Sequence, residues 1–349
     1  MASIDVGLLE PADHGILQRY LDRHDAATVF YEPRWFEILR ATYGHRTRYL
    51  VARRRAEIVG VFPVTTIWRP LLGTKHIASP YQFHSGLPLG DDDEVRKTLV
   101  THAVAHVRSQ GGYLEIRHGG RVDWLEALGF DALDTGLANA SVSLPGLTLA
   151  GIREGHRRNV VFAQKNGVTI VEDNSPEALA RFHRMLALES RAMGNPQGGF
   201  GFIDRHRTQL PDGFHLLLAM HDSTCIGGML TIENSHAAFA RYAAAASVEA
   251  KRLYVGKALL WRGMADASAR GCASFSLGVS SGRDAGLLKS KEGWGGVVAP
   301  VWLHVHPAGA VKVDLAGYLD GFQLAKAVWR RLPLALTEPL GLLVTGWVC

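Results

Sequence analysis

The chain reads as short apolar runs of strand period, separated by charged turns and interleaved with longer segments of helical period. In the first half, Arg48–Ala52, a charged turn and Ile58–Pro63 form a strand–hairpin–strand pattern. In the second half, His215–Ala219, a polar turn and Ile226–Ile232 repeat it. Each copy is followed by a helical segment stopped by glycine: Val95–Gln110 before Gly111, and Gly256–Arg270 before Gly271. Each helix then leads into a further strand, Tyr113–Arg117 and Ala273–Leu277. The same order at similar offsets predicts an α/β chain built from two copies of one unit. Each copy is expected to be a mixed, mostly antiparallel sheet flanked by helices. The boundary is expected near Leu144–Thr148, giving domains at 1–146 and 147–308. A C-terminal segment, 309–349, is expected to return and pack on the first domain.

Composition narrows function more than fold. A length of 349 residues with a 47% hydrophobic fraction suits two globular domains. Cys225, Cys272 and Cys349 have neither disulfide-framework nor metal-ligand spacing. His304 and His306 share a strand face but lack a third ligand, so no metal is expected. The first residues have neither a basic start nor an apolar run, and a cytoplasmic location is expected. The net charge of +5, with arginine well in excess of lysine, suits phosphate-bearing partners. Leu332–Cys349 is apolar but broken by Pro333, Glu338 and Pro339, which excludes a single membrane-spanning helix. Packing on the protein is expected for this tail, with peripheral contact to a membrane surface as the alternative.

The densest chemical signal is Phe275–Gly295, a strand followed by a glycine-rich polar turn and a Lys-x-Lys-x-x-Trp-Gly segment. Gly278 and Gly282 let the chain turn, and Arg283, Lys289 and Lys291 set cations beyond the strand end, where α/β proteins bind ligands. This segment resembles the signature of FemABX-like transferases, a family within the GNAT acyltransferase superfamily that carries two GNAT-like domains in tandem. That signature is a strand, Gly-Arg-Ser, then Phe-Lys-x-x-Trp-Gly. Here Ser290 replaces the Phe and Ser276 a frequent Asp, while Lys291 and Trp294–Gly295 are kept. The basic segment ending Lys165-Asn166-Gly167-Val168 and the segment Glu189–Pro196 are similar to two further motifs of the family. Phe30–Trp35, Ser79–Tyr81 and Leu114–Arg117 fit its first domain. The tail from Trp329 resembles the FemAB-like group found beside bacterial exopolysaccharide and protein-sorting loci.

The resemblance implies amide formation without a protein nucleophile. An amine attacks an activated acyl carbonyl, and the protein positions both reactants and stabilises the oxyanion. Lys291 is the candidate for the oxyanion or a donor phosphate, with Trp294 packed beside it. Glu115 shares a strand face with Arg117 and is either its ion-pair partner or a general base. Tyr81, Arg117, Arg191, Arg241, Tyr242, Arg283 and Lys289 are candidates to hold the acceptor. Arg252, Gly256 and Lys257 form a degenerate phosphate loop at a helix start, and Arg157, Arg158 and Lys165 a basic helix face. The first copy has Asp91–Glu94 at the loop position, which would repel phosphate. The resemblance therefore implies aminoacyl-tRNA as co-substrate, no tightly bound cofactor, and an amine acceptor on a small molecule or lipid-linked precursor. An N-acyltransferase using acyl-coenzyme A on an amino sugar or small metabolite is one alternative. A non-catalytic binding protein of envelope or polysaccharide assembly is the other.

Overall fold

The computed structural model describes residues 3–70, 73–83, 86–245, 247–310 and 323–348. They form two compact units. The first holds the described residues up to 138, 299–310 and 346–348, and the second holds 139–298 and 323–345.

The first unit opens with β1 (Ile4–Leu8), α1 (His14–Arg23) and α2 (Pro33–Tyr43). Strands β2 (Arg46–Arg54), β3 (Glu57–Arg69) and β4 (Gly73–Ala78) follow, then the short β5 (Leu89–Gly90), α3 (Asp93–Gln110), β6 (Tyr113–His118) and α4 (Asp123–Glu126). β1 to β4 pair antiparallel in sequence order, and β4 pairs parallel with β6 across the α3 crossover. Helix α3 forms where the sequence places it because the Asp92 carboxylate accepts the Val95 N–H at 2.9 Å and Gly111, at φ 77°, ends it. Its buried face, including Val95, Leu99 and Val107, packs on Leu50, Phe62 and Ile116 of the sheet.

Strand β7 (Asp131–Ser143) carries the chain from the first unit into the second, so the break lies at 138/139, earlier than the expected 146. The second unit contains α5 (Glu154–Lys165), β8 (Thr169–Glu172), α6 (Pro176–Met193) and α7 (Gly199–Gln209). Then come β9 (Phe214–His221), β10 (Thr224–Glu233), β11 (Ala237–Ala244), α8 (Val248–Arg252), α9 (Val255–Ala269), β12 (Ser274–Ser281) and α10 (Ala285–Glu292). Strands β8 to β11 pair antiparallel and β11 pairs parallel with β12 across α9, the same order as in the first unit. One core lies between α5, α9 and the sheet, with Val160, Leu259, Met264 and Phe275 among its buried side chains, and another packs Phe182 of α6 and Ile203 of α7 against Leu216 and Leu230 of the sheet.

Two segments depart from the expected domains. Strand β13 (Gly296–His306) pairs antiparallel with β6, Trp302 opposite His118 and His306 opposite Leu114, and completes the first unit's sheet rather than the second's. Its alternating residues Val301, Leu303 and Val305 are all buried, but alternation does not say which sheet edge they meet. The tail, expected on the first domain, divides: residues 323–345, in helices Gln323–Arg331 and Leu334–Val348, group with the second unit, and residues 309–310 and 346–348 with the first. Its seats are glycines: a Cβ on Gly194, which has φ 78°, would meet Lys326 at 2.8 Å, and Gly341 has no room for one above the Gln197 backbone. The last turn, at Gly346, lies against Tyr43 in the first unit. Residues 311–322 of this segment, and Cys349, lie outside the described residues.

Candidate active site

The parallel pair of the second unit comes apart. Ala237 to Phe239 lie opposite Ser274 to Ser276, and no further ladder pair between β11 and β12 follows among the described residues. Both strands nevertheless run on, to Ala244 and Ser281. One cause is visible on β11. Leu230 of β10 faces Tyr242 and the next residue, Thr231, faces Ala240, so Arg241 is an extra residue, a bulge that bends the strand. Another is on β12, where Gly278 takes φ 75° just past the last paired residue. The result is an opening between two strands whose backbone groups are not paired across it.

Lys291, from α10, meets this break. Its ammonium Nζ donates to the Gly278 carbonyl at 2.6 Å. The side chain is only 8% exposed, and burial pushes its pKa down to about 8. Beside it, Trp294 is 1% exposed and stacks on His156 of α5 at 4.5 Å between ring centres. His156 Nε2 donates to the Ser290 carbonyl at 2.8 Å, and burial holds its imidazole below the usual range. The Lys257 ammonium lies over the Trp294 ring and donates to Ser290 Oγ at 2.8 Å; burial, then Arg153, lowers its pKa. The start of α9 has Tyr254 at φ 54° as its cap and no side-chain cap. Lys257 N–H donates to the Tyr254 carbonyl at 2.9 Å, and no side chain caps the amides of Val255 and Gly256 ahead of it, the position at which a helix start can seat an anion.

Residues 151–285 match the acetyltransferase (GNAT) domain family. The second unit is a GNAT acyltransferase domain. The chain is accordingly an acyltransferase, with a mixed, mostly antiparallel sheet flanked by helices. FemX shares its fold over 92% of this chain and 100% of FemX, at 13% identity and a TM-score of 0.70. The C-terminal domain of a protein named as a lysylphosphatidylglycerol synthetase, from Agrobacterium fabrum, matches over 82% of this chain and 93% of its own, at 16% identity and a TM-score of 0.57. A tandem GNAT protein from the clavulanic acid biosynthesis pathway matches over 89% and 100%, at 12% identity and a TM-score of 0.53. None of the curated proteins matches the sequence significantly.

The first unit has the same framework with its opening closed. Pairing of β4 with β6 also stops after three residue pairs, at Ile77 and Glu115. There Gly86 fills the place: its N–H donates to the Arg117 carbonyl at 2.8 Å, and a Cβ on it would lie 3.3 Å from the Ala78 carbonyl. The start of α3 is occupied by Asp92, which also pairs with Arg54 at 2.7 Å. Among the described residues the GNAT domain therefore has both an open strand pair and a helix start without a side-chain cap, and the first unit has neither.

The expected residues divide between the units. Lys291, Lys257, Trp294 and Gly256 gather around α9 and α10 of the GNAT domain, but Trp294 is packed against His156 and Lys257 is turned inward to Ser290. Arg241 and Tyr242 sit at the bulge, the Arg241 guanidinium 5.3 Å from the Tyr242 ring centre. Burial and then the Arg241 charge drive the His206 imidazole of α7 down to about 3. Arg191, on α6, lines a cavity of about 410 Å³ with His183, Arg184, Gln197, Trp329 and Glu338. Arg158, Lys165, Arg252, Arg283 and Lys289 are exposed, and Arg157 Nη1 donates to the Ala150 carbonyl at 3.3 Å.

Tyr81, Glu115 and Arg117 belong to the first unit. Glu115 is 5% exposed; it pairs with Arg117 and lies 3.7 Å from the ammonium of Lys75, a partner the sequence reading missed. Burial alone would raise its carboxyl, but Arg117, Lys75 and Arg69 outweigh that and hold it ionised. It is an ion-pair anchor and a poor general base, so the ion-pair reading takes precedence over the catalytic one. Tyr81 stacks on Tyr43 at 5.3 Å and its hydroxyl lies 3.2 Å from His45 Nε2. The sequence reading also missed His156 as a support of the site. Its signal was present, since His156 lies in the basic helix already singled out.

Proposed function

We propose that the GNAT domain transfers an aminoacyl group from aminoacyl-tRNA to an amine, with the donor carbonyl in the opening between β11 and β12. The observation that carries the reading is the break in pairing after Phe239 and Ser276 with the Lys291 ammonium at its edge. The acceptor nitrogen attacks the ester carbonyl, the new C–N bond forms, and the C–O bond to the ribose breaks with its electron pair on oxygen. At pH 7 a lysine with a pKa of about 8 is about ten-to-one protonated. It can therefore donate to the oxyanion as charge develops there. The proton lost by the attacking nitrogen leaves with the ribose oxygen or to solvent.

Three observations favour tRNA over a nucleotide-sized donor. Lys257, the cation nearest the start of α9, is committed to Ser290 and Trp294. Exposed cations at Arg158, Lys165 and Arg252 offer a broader surface to a polyanion. The similarity to FemX and to a lysylphosphatidylglycerol synthetase points the same way, the latter carrying an amino-acid transfer in its name. The cavity lined by Arg184 and Arg191 is the candidate seat for an anionic part of the acceptor. The uncapped start of α9 supports the second reading, acyl-coenzyme A as donor. The deciding experiment is a binding titration of charged tRNA and of acetyl-coenzyme A at several salt concentrations. Salt-sensitive tRNA binding is expected. Tight coenzyme A binding with no tRNA association would overturn the first reading in favour of the second.

A further inference from the structure

The C-terminal helices carry a surface that the acyl-transfer site does not use. On helix Leu334–Val348, Leu336, Leu340 and Leu343 are 48%, 39% and 49% exposed. Spacings of four and three place them on one face, and the exposed Ala335 and Pro339 continue it. The opposite side is the one that seats on the GNAT domain, through buried Thr337 and through Gly341 on the Gln197 backbone. Val328 on the preceding helix and Met193 at the end of α6 are also more than half exposed. Arg330 Nη2 donates to the Met193 carbonyl at 3.4 Å, which ties this preceding helix to the end of α6. A helix face this apolar, left in water, marks a contact surface.

The charges say which contact. Residues 323–348 carry the cations Lys326, Arg330 and Arg331 and a single carboxylate, Glu338. That carboxylate is already engaged, accepting the Phe200 N–H at 2.7 Å. An apolar stripe with cations at one end and no free acid is the pattern of a helix that lies in the plane of an anionic bilayer. Among the described residues no helix is long and apolar enough to cross a membrane. We propose that the C-terminal helix pair docks the GNAT domain on an anionic lipid surface, with the leucine face at the headgroup boundary and Arg330 and Arg331 on lipid phosphates.

The test is co-sedimentation of the full chain with vesicles of phosphatidylcholine containing about one-third phosphatidylglycerol, beside pure phosphatidylcholine vesicles. Binding to the first and not the second is expected, weakening as salt rises. Leu340→Glu with Leu343→Glu should abolish it. These side chains are exposed, so the near-ultraviolet circular dichroism should stay unchanged. Arg330→Gln with Arg331→Gln, which leaves the apolar face intact, should weaken binding about fivefold for each charge lost. Absence of binding, or equal binding to both vesicles, overturns the proposal. So does a concentration-dependent dimer in sedimentation velocity that the leucine variant disperses, because the face would then belong to a second copy of the chain.

Discussion

Lys291 should titrate far below an ordinary lysine, and its burial sets by how much. Its pKa of about 8 lies well under the usual 10.5 because the ammonium is withdrawn from water with only the Gly278 carbonyl as its described partner. A difference of that size corresponds to up to about 3 kcal/mol between the two protonation states. The direction follows from which state holds the proton. Between pH 8 and 10.5 the unfolded chain keeps it and the folded chain has released it, so stability rises with pH across that window. The gain is complete above the unfolded pKa and gone below the folded one. Spectra of protein carrying ¹³C at lysine Cε, with the Lys291 resonance assigned by its loss in Lys291→Met, should show a midpoint near 8. Urea unfolding from pH 7.5 to 10.5 should show wild type gaining on the variant by up to about 3 kcal/mol. In the transfer reaction, activity carried by the ammonium should fall above pH 8, and Lys291→Met should lose that alkaline limb. A midpoint near that of a free lysine, or parallel stability curves, would refute the argument from burial.

Other consequences are equally open to measurement. His215 lies between Glu172 at 2.8 Å and Glu233 at 3.2 Å; burial opposes its charge, but the two carboxylates outweigh burial and raise its pKa. His215→Gln should therefore cost about 1.5–3 kcal/mol below the unfolded pKa, and the deficit should shrink as pH rises through the raised folded value; a deficit flat with pH would exclude the charged pair. Asp92→Ala should lower stability by about 1 kcal/mol through loss of the α3 cap, read as a lower Tm, with the Lys291 midpoint in the second unit unmoved. Gly278→Ala has free space but the wrong backbone sign at φ 75°, so it should cost about 1 kcal/mol and move the Lys291 midpoint, whereas an unmoved midpoint would separate the two residues. Gly341→Val has no room above Gln197 and should release the C-terminal helices, seen as new proteolytic cleavage near residue 332 without loss of the second unit's core.

Much of the repeated unit was legible because it rests on local rules. The α3 and α9 boundaries, Asp93–Gln110 and Val255–Ala269, fall within two residues of those drawn from the glycine stops and the apolar period. The hairpins β2–β3 and β9–β10 follow from alternating runs around charged turns. The acidic run at Asp91–Glu94 also announced itself, since carboxylates at a helix start exclude phosphate whatever packs around them. The Lys-x-x-Trp-Gly segment lies beside the break between β11 and β12, although the sequence did not say that Trp294 would be sealed against His156.

What the sequence left open was decided by pairings between distant segments. Nothing in the alternation of β13 says that it joins β6, because burial fixes which face of a strand is apolar and not which sheet edge is free. The opening depends on a ladder that stops at Phe239 and Ser276, and that stop needs the register of three strands at once. The closure of the first unit's equivalent gap depends on Gly86 approaching Arg117 and Ala78, a contact between backbones that carries no side-chain signal. The tail was misplaced for a related reason. Its leucines looked like core, but Thr337 and Gly341 seat the opposite face of their helix, and Leu336, Leu340 and Leu343 turn outward. Local periodicity determined which elements form. Tertiary packing decided which edges meet, and the candidate site lies where one pair of edges does not.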